Sequence, residues 1–441
     1  MVTPTTKPTR RARLTAGSAR AAAGSARYLD DRLGTGRWLA PNLRKLFPTH
    51  WSFLLGEFAL YSFVLLVLTG TFLTFFYKPE AGAAFESVRE LSVDVRGGLL
   101  IRQMHHWSAT IFVLAIVAHM FRVFFTGAFR KPRELTWVLG ALLFGLALFE
   151  AFLGVTLPAN QLGMSGLRET QGLLLSIPLV GTYLSSFVFD GPFPGQVIPR
   201  AFVAHVLLVP GLLLALVPLH ALVLTWRQKH TEHHGEGRRV TGVPFFPAFS
   251  LKQGITSLGT FTVITALATL VIVNPVWTAA QAYRAGAAPP SAQPFWYYGV
   301  LEGMLRLLPP WEFTIAGFTF AAGLWIPMLV LGGFFTALLF WPFIERRFTG
   351  DRAYHQVVQR PAAAPVRTAL GVAVVVFFTV IWSATWFTTD LTAGPPLLAV
   401  PAELYPALLY GLRAAVIVLP GVAYALTLWL CKRRYRDVIS E

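Results

Sequence analysis

Apolar runs of about twenty residues recur eight times along the chain, at roughly 53–76, 104–126, 135–157, 201–226, 255–277, 313–341, 369–388 and 405–430. A bilayer core of about 30 Å takes about 20 helical residues, so each run is long enough to cross it. None shows the strand-period alternation of an outer-membrane barrel. The pattern predicts an all-α integral membrane protein with eight transmembrane helices. Segments 158–200 and 278–312 are longer than a simple connection requires. They carry short apolar stretches bounded by Gly and Pro, with Trp and Tyr among them in 278–312, which predicts short helices lying at the membrane surface. The first 37 residues are rich in Arg, Ala, Ser and Thr and lack an apolar core. They predict a flexible basic arm rather than a signal peptide.

Composition agrees with this. Of 441 residues, 55% are hydrophobic and 13% are charged, about half the charge of an ordinary globular protein. The net charge of +16 would suit nucleic acid if it formed one patch, but it is spread by topology. Segments 1–50, 122–136, 226–253, 342–367 and 431–441 hold 28 Lys and Arg, whereas the intervening 77–103, 158–200, 277–313 and 388–405 hold 8. The positive-inside rule then sets both termini in the cytoplasm of a cell-membrane protein. Anionic lipid accounts for the charge, and no nucleic-acid partner is expected. The expected division is a basic arm (1–37), a four-helix domain (38–228), a cytoplasmic linker (229–253), a second four-helix domain (254–430) and a basic tail (431–441).

A single cysteine, Cys431, rules out disulfide frameworks, thiolate clusters and covalently attached haem. Metal chemistry must run through histidine and carboxylate. Four histidines lie inside apolar spans: His105 and His119 in the second, His205 and His220 in the fourth. Ionisable residues at such depth are functional candidates by default. Spacings of 14 and 15 keep each pair broadly on one helix face, about 21 Å apart along the axis. Both helices run in the same direction, so His105 pairs with His205 at an outer level and His119 with His220 at an inner one. Two neutral imidazoles facing each other across a bundle suit a six-coordinate haem iron. The competing reading is four core histidines bonded to helix carbonyls, and two matched pairs at matched depths argue against it.

Gly56 and Gly70 in the first span, and Gly140 and Gly154 in the third, repeat the 14-residue spacing. Missing side chains at two levels are what a porphyrin pressed between helices needs, although glycine also serves plain helix packing. Arg102 and Arg122 flank the two levels and suit haem propionates; snorkelling to the interface is their other reading. His106 suits packing or a polar contact. His230, His233 and His234 form a loop cluster open to zinc or simply to solvent, while His50 and His355 carry no usable pattern.

On these residues the chain resembles cytochrome b of the quinol–cytochrome c reductase (cytochrome bc) complexes, over about residues 38–430 and closest to the actinobacterial branch. The resemblance implies an N-terminal four-helix bundle holding two non-covalent b-type haems, with four C-terminal helices completing a quinol pocket. It implies a low-potential haem on His105 and His205 and a high-potential haem on His119 and His220. It further implies quinol and quinone as substrates, expected to be menaquinone, a Rieske iron–sulfur subunit and a cytochrome c subunit as partners, and a homodimeric complex.

The quinol pocket departs from the family. Its Pro-Glu-Trp-Tyr or Pro-Asp-Trp-Tyr motif reads Pro294-Phe295-Trp296-Tyr297 here, and a phenyl ring cannot accept a proton. Gly-Tyr-Ser-Leu-Pro-Asp-Asp reads Gly154-Val155-Thr156-Leu157-Pro158-Ala159-Asn160, and the Lys-Asp pair of the inner quinone site reads Lys252-Gln253. Glu150, one turn before Gly154, is the remaining acid. It stands either as the quinol proton acceptor beside Trp296 and Tyr297 or as a helix-packing carboxyl; Glu57 is assigned to the interface. The expected activity is quinol–cytochrome c oxidoreduction coupled to proton translocation. The alternatives are a dihaem relative serving another electron partner without Rieske-coupled oxidation, and a haem-stabilised scaffold.

Overall fold

The computed structural model describes residues 23–80, 82–226, 242–273, 282–284, 296–388 and 398–440. Phe295 and the 230–234 histidine cluster lie outside them. Residues 23–33 are helical, and beyond them the helices in chain order are α1 (Thr35–Leu43), α2 (Leu55–Thr74), α3 (Ala84–Val93), α4 (Gly98–Phe125), α5 (Glu134–Thr156), α6 (Gln161–Leu175), α7 (Gly181–Phe189), α8 (Val197–Thr225), α9 (Ser250–Leu270), α10 (Gly299–Leu307), α11 (Ala322–Thr349), α12 (Pro365–Ser383) and α13 (Tyr405–Ser440). Eight of them are long and apolar enough to cross a membrane, namely α2, α4, α5, α8, α9, α11, α12 and α13. The surface helices expected in the two long connections are α6, α7 and α10.

One small unit joins residues up to 49 with 239–256. In it β1 (Leu46–Phe47) pairs antiparallel with β2 (Val243–Pro244), and the Phe47 ring stacks on Phe249 with centroids 4.5 Å apart. Lys252 of the altered Lys-Gln pair donates to the Thr49 carbonyl at 2.8 Å.

In the larger unit, α2, α4, α5 and α8 share one core. Ala59, Phe63, Phe112, Ala115, Ala147 and Leu213 are buried in it, and each lies between the two histidine or glycine positions of its own helix. Phe63 and Phe112 stack at 5.7 Å. The space between the two levels is therefore an apolar plug. A second core joins Met304 and Leu307 of α10 to Ile381 of α12 and to Leu409 and Val416 of α13.

The sixth span differs from expectation. Residues 313–321 form a hairpin instead of the start of a helix, with β3 (Glu312–Ile315) antiparallel to β4 (Phe318–Ala321). Ala316 and Gly317 connect them with φ of 49° and 81°, the paired positive angles of a two-residue hairpin turn. Thr314 and Thr319 alternate with Phe313, Ile315, Phe318 and Phe320, a period-two pattern that overall hydropathy hides. Helix α11 begins only at Ala322 and runs on to Thr349, where Gly350 at φ 71° ends it.

A polar clasp ties the connection after α4 to the segment after α11. Arg367, itself buried, donates to Glu345 at 2.8 Å and to Gln359 at 2.7 Å. Asp351 takes His355 at 2.8 Å and Arg130 at 3.5 Å. Burial works upward on the Asp351 carboxyl, but His355, the Ala353 N–H and Arg130 outweigh it and hold it below the ordinary range.

Candidate haem centre

The four histidines and four glycines meet in two sets. A Cβ added to Gly70 would stand 3.1 Å from His105 Cε1, and one on Gly154 would stand 2.7 Å from His205 Cε1. At the other level a Cβ on Gly56 would lie 3.3 Å from His119 and one on Gly140 would lie 3.3 Å from His220. Any larger residue would press on the imidazole edge. The first level is thus Gly70, His105, Gly154 and His205, and the second is Gly56, His119, Gly140 and His220.

At the first level the ring centroids of His105 and His205 are 6.3 Å apart with planes at 81°. Two metal–imidazole bonds of about 2.0–2.1 Å, with about 1.1 Å from each nitrogen to its ring centre, span the same distance. The tautomers follow from the hydrogen bonds. Thr69 Oγ1 donates to the Leu65 carbonyl at 2.6 Å, so it accepts from His105 Nδ1 at 2.9 Å. His205 Nδ1 faces two acceptors of Glu150, the carboxylate Oε1 at 2.9 Å and the backbone oxygen at 3.2 Å. Both Nδ1 atoms therefore carry the proton, and both Nε2 lone pairs are left for a metal.

The second level is built differently. Among the described residues, neither His119 Nδ1 nor His220 Nδ1 reaches a side-chain acceptor. Arg122 lies over the Phe53 ring at 4.0 Å, with its buried Nε and Nη2 lacking a hydrogen-bond partner. Two buried donors without an acceptor suit an anionic group such as a propionate. Donor set, glycine cradle and orphaned guanidinium together fit haem b.

The 15-residue spacing in α8 has a local cause. Both histidines sit in π-helical turns, His205 in Ala204–Leu208 and His220 in Leu219–Thr225. Pro210 and Pro218 lack the N–H that would bond the Val206 and Leu214 carbonyls, which weakens the α ladder nearby. A π turn rotates less per residue than an α turn, so the extra residue is taken up and both imidazoles reach the levels set by α4.

A cavity of about 470 Å³ opens at the first level, lined by Arg102, His105, Glu150, Gly154, His205 and Tyr297 among others. That size is ordinary for a small-molecule site. His106 also borders it. Tyr297 reaches the cavity, and burial pushes its phenol upward, so it stays protonated and serves as a hydrogen-bonding group rather than a base. Trp296 does not border the cavity. Its ring packs edge-on against Tyr297, and its carbonyl accepts from Trp382 at 2.7 Å.

Helix α10, which follows these two residues, is bolted in place. Gly299 and Gly303 let it lie against Trp382 and the Ile381 backbone. Arg306 donates to the Phe387 carbonyl at 3.0 Å, Arg413 to the Leu307 carbonyl at 2.6 Å, and Tyr298 to the Leu148 carbonyl at 2.5 Å. Thr69, Tyr298 and Arg413 escaped sequence reasoning. Thr69, adjacent to Gly70, and Tyr298, adjacent to Tyr297, each stood beside a residue already singled out.

Comparisons with known proteins agree with this geometry. Residues 110–281 match the family described as Cytochrome b(N-terminal)/b6/petB. The chain is 40% identical to the cytochrome bc1 complex cytochrome b subunit of Streptomyces coelicolor, over 96% of this chain and 80% of that protein. It is likewise 40% identical to the subunit of the same description from Mycobacterium tuberculosis H37Rv, over 95% and 79%. A structure described as a hyperthermophilic respiratory Complex III superposes with a TM-score of 0.66 at 22% identity, covering 90% of this chain and 98% of that one, a likeness of fold. Fold and site define a membrane-spanning cytochrome of the b type. The chain belongs to the cytochrome b subunits of cytochrome bc1 complexes, in their actinobacterial form.

Proposed function

We propose that this chain is the electron-conducting subunit of a quinol–cytochrome c reductase, with one b-type haem at each histidine level. The observation that carries the reading is the repeated set of two histidines and two glycines, with both first-level Nε2 atoms left free of protons. His105 and His205 would hold the outer haem through their free Nε2 atoms, and His119 and His220 would hold the inner one. Gly56, Gly70, Gly140 and Gly154 make room for the macrocycles, and Arg102 and Arg122 neutralise propionates. Bound haem supplies one-electron carriers on either side of the apolar plug.

Quinol, in the form of menaquinol, binds at the Tyr297 side of the first level, because the space between His105 and His205 belongs to the haem. Tyr297 orients it by hydrogen bonding, and Trp296 fixes the loop from behind. The Glu150 oxygen not engaged by His205, Oε2, is buried without a partner among the described residues. It is the proton acceptor that takes the place of the motif acid replaced by Phe295. A Rieske subunit and a cytochrome c subunit receive one electron, the other crosses to a quinone on the cytoplasmic side, and the complex is dimeric. The first four crossing helices form the haem-binding half and the last four complete the quinol side, with both termini in the cytoplasm of the cell membrane.

The test is a haem count and a redox titration on the purified complex, followed by menaquinol with and without the Rieske subunit. Two b-type haems per chain and Rieske-dependent reduction are expected. Two haems indifferent to the Rieske subunit would replace this reading with a dihaem relative serving another partner.

A further inference from the structure

The four histidines are held unequally, and the inequality centres on Glu150. Among the described residues, His205 is the one of the four with a carboxylate on its Nδ1, at 2.9 Å, and the backbone oxygen of the same residue shares that N–H at 3.2 Å. His105 is held by a neutral hydroxyl at 2.9 Å, and the two second-level rings have no side-chain acceptor. The contact is well shielded, with the two side chains 16% and 17% exposed. Glu150 also lies four residues before Gly154, on the same face of α5, so one helical turn supplies both the gap beside the ring and the group that fixes it.

From this arrangement we infer that Glu150 is a positioning residue that holds the His205 ring and lowers the reduction potential at the first level. The inference rests on the haem reading above and assigns the carboxylate a second role in it. Hydrogen bonds to an ionised acceptor are roughly twice as strong as neutral ones. A carboxylate on the far nitrogen of a ligating imidazole fixes its rotation and raises the basicity of the metal-bound nitrogen. A more electron-rich ligand stabilises the oxidised metal more than the reduced one. The second level has no such group, so the protein itself sets a downhill step from the first level to the second.

The test is a spectroelectrochemical titration of the purified complex, resolved into its two one-electron components. His220→Leu, which removes the second-level haem, assigns the components. Glu150→Gln keeps the side-chain shape and a neutral acceptor. It is expected to favour reduction of the first-level haem about tenfold, an upward shift of about 59 mV for a one-electron couple, with the second-level haem unmoved. Its low-spin electron paramagnetic resonance signal is expected to change as the ring is released. Thr69→Val is expected to shift the same component upward by less. Both haems bound in Glu150→Gln with both midpoints unchanged would overturn the inference, as would movement of the second-level component alone. A wild-type complex without two histidine-ligated haems would instead remove the reading beneath it.

Discussion

The first and second histidine levels use the same two residue types, two histidines and two glycines each, on the same four helices, yet they are finished in opposite ways. At the first level both Nδ1 atoms are held by side chains, and a cavity of about 470 Å³ adjoins the rings. At the second level the rings lack side-chain acceptors and an arginine keeps two buried donors unused. The connection after α4, beyond this level, is tied to the segment after α11 by Arg130 and Asp351. One level adjoins a cavity and has both rings anchored by side chains; the other is a plain cradle. The shared pattern makes the haem sites, and the different surroundings divide the labour between them.

The bluntest way to break this comparison is to remove one ligand at a time. His205→Leu is expected to eliminate the first-level haem and to slow menaquinol-driven reduction by about a hundredfold or more, beyond the 10–100-fold typical of outer-shell changes. His220→Leu is expected to spare rapid reduction of the first-level haem while blocking onward transfer, which stopped-flow spectroscopy separates. A smaller effect is expected from crowding the cradles. Gly154→Ala places a methyl group 2.7 Å from His205, against 3.3 Å for Gly140→Ala at His220. Overpacking of this kind costs about 1–3 kcal/mol. First-level haem occupancy is expected to fall more in the former than second-level occupancy in the latter, as measured by haem content after purification.

The smallest effect concerns the clasp. Asp351 has its pKa lowered in the folded protein, so its contribution is present above its unfolded value of about 3.9 and is lost as pH falls through the folded value. Asp351 is one-third exposed, so Asp351→Asn is expected to cost no more than about 1 kcal/mol at neutral pH. The difference from wild type should vanish in acid, as thermal unfolding in detergent at the two pH values would reveal. A loss that persisted in acid would assign Asp351 a role other than its charge.

Much of this architecture was legible in the chain itself. Length and hydropathy located eight crossings because a bilayer imposes one length on every span. His105, His119, His205 and His220 stood out because an ionisable group at that depth needs a reason. Their glycine partners followed from a shared spacing. The hairpin at 312–321 was hidden because its phenylalanines raise hydropathy as strongly as helical leucines do, and only the alternation with threonine marks a strand. The partner of Glu150 was hidden for another reason. Nothing within α5 says which histidine the carboxylate will meet, since that depends on how α5 and α8 pack. Sequence exposed the acid as costly and left its obligation to His205 to the tertiary structure.

The π turns of α8 carry a consequence for how such chains diverge. A residue inserted into an α-helix rotates everything beyond it by about 100°, which would swing a downstream ligand off its target. Where a turn can swallow the insertion on the spot, the disturbance ends within a few residues and both fixed points survive. Two chains of this type can then differ by one residue between their ligands and remain superposable at both. A gap-free pairing through this helix would set an aliphatic residue opposite a histidine, and the indel that repairs it belongs in the middle of a membrane span, where one is least looked for.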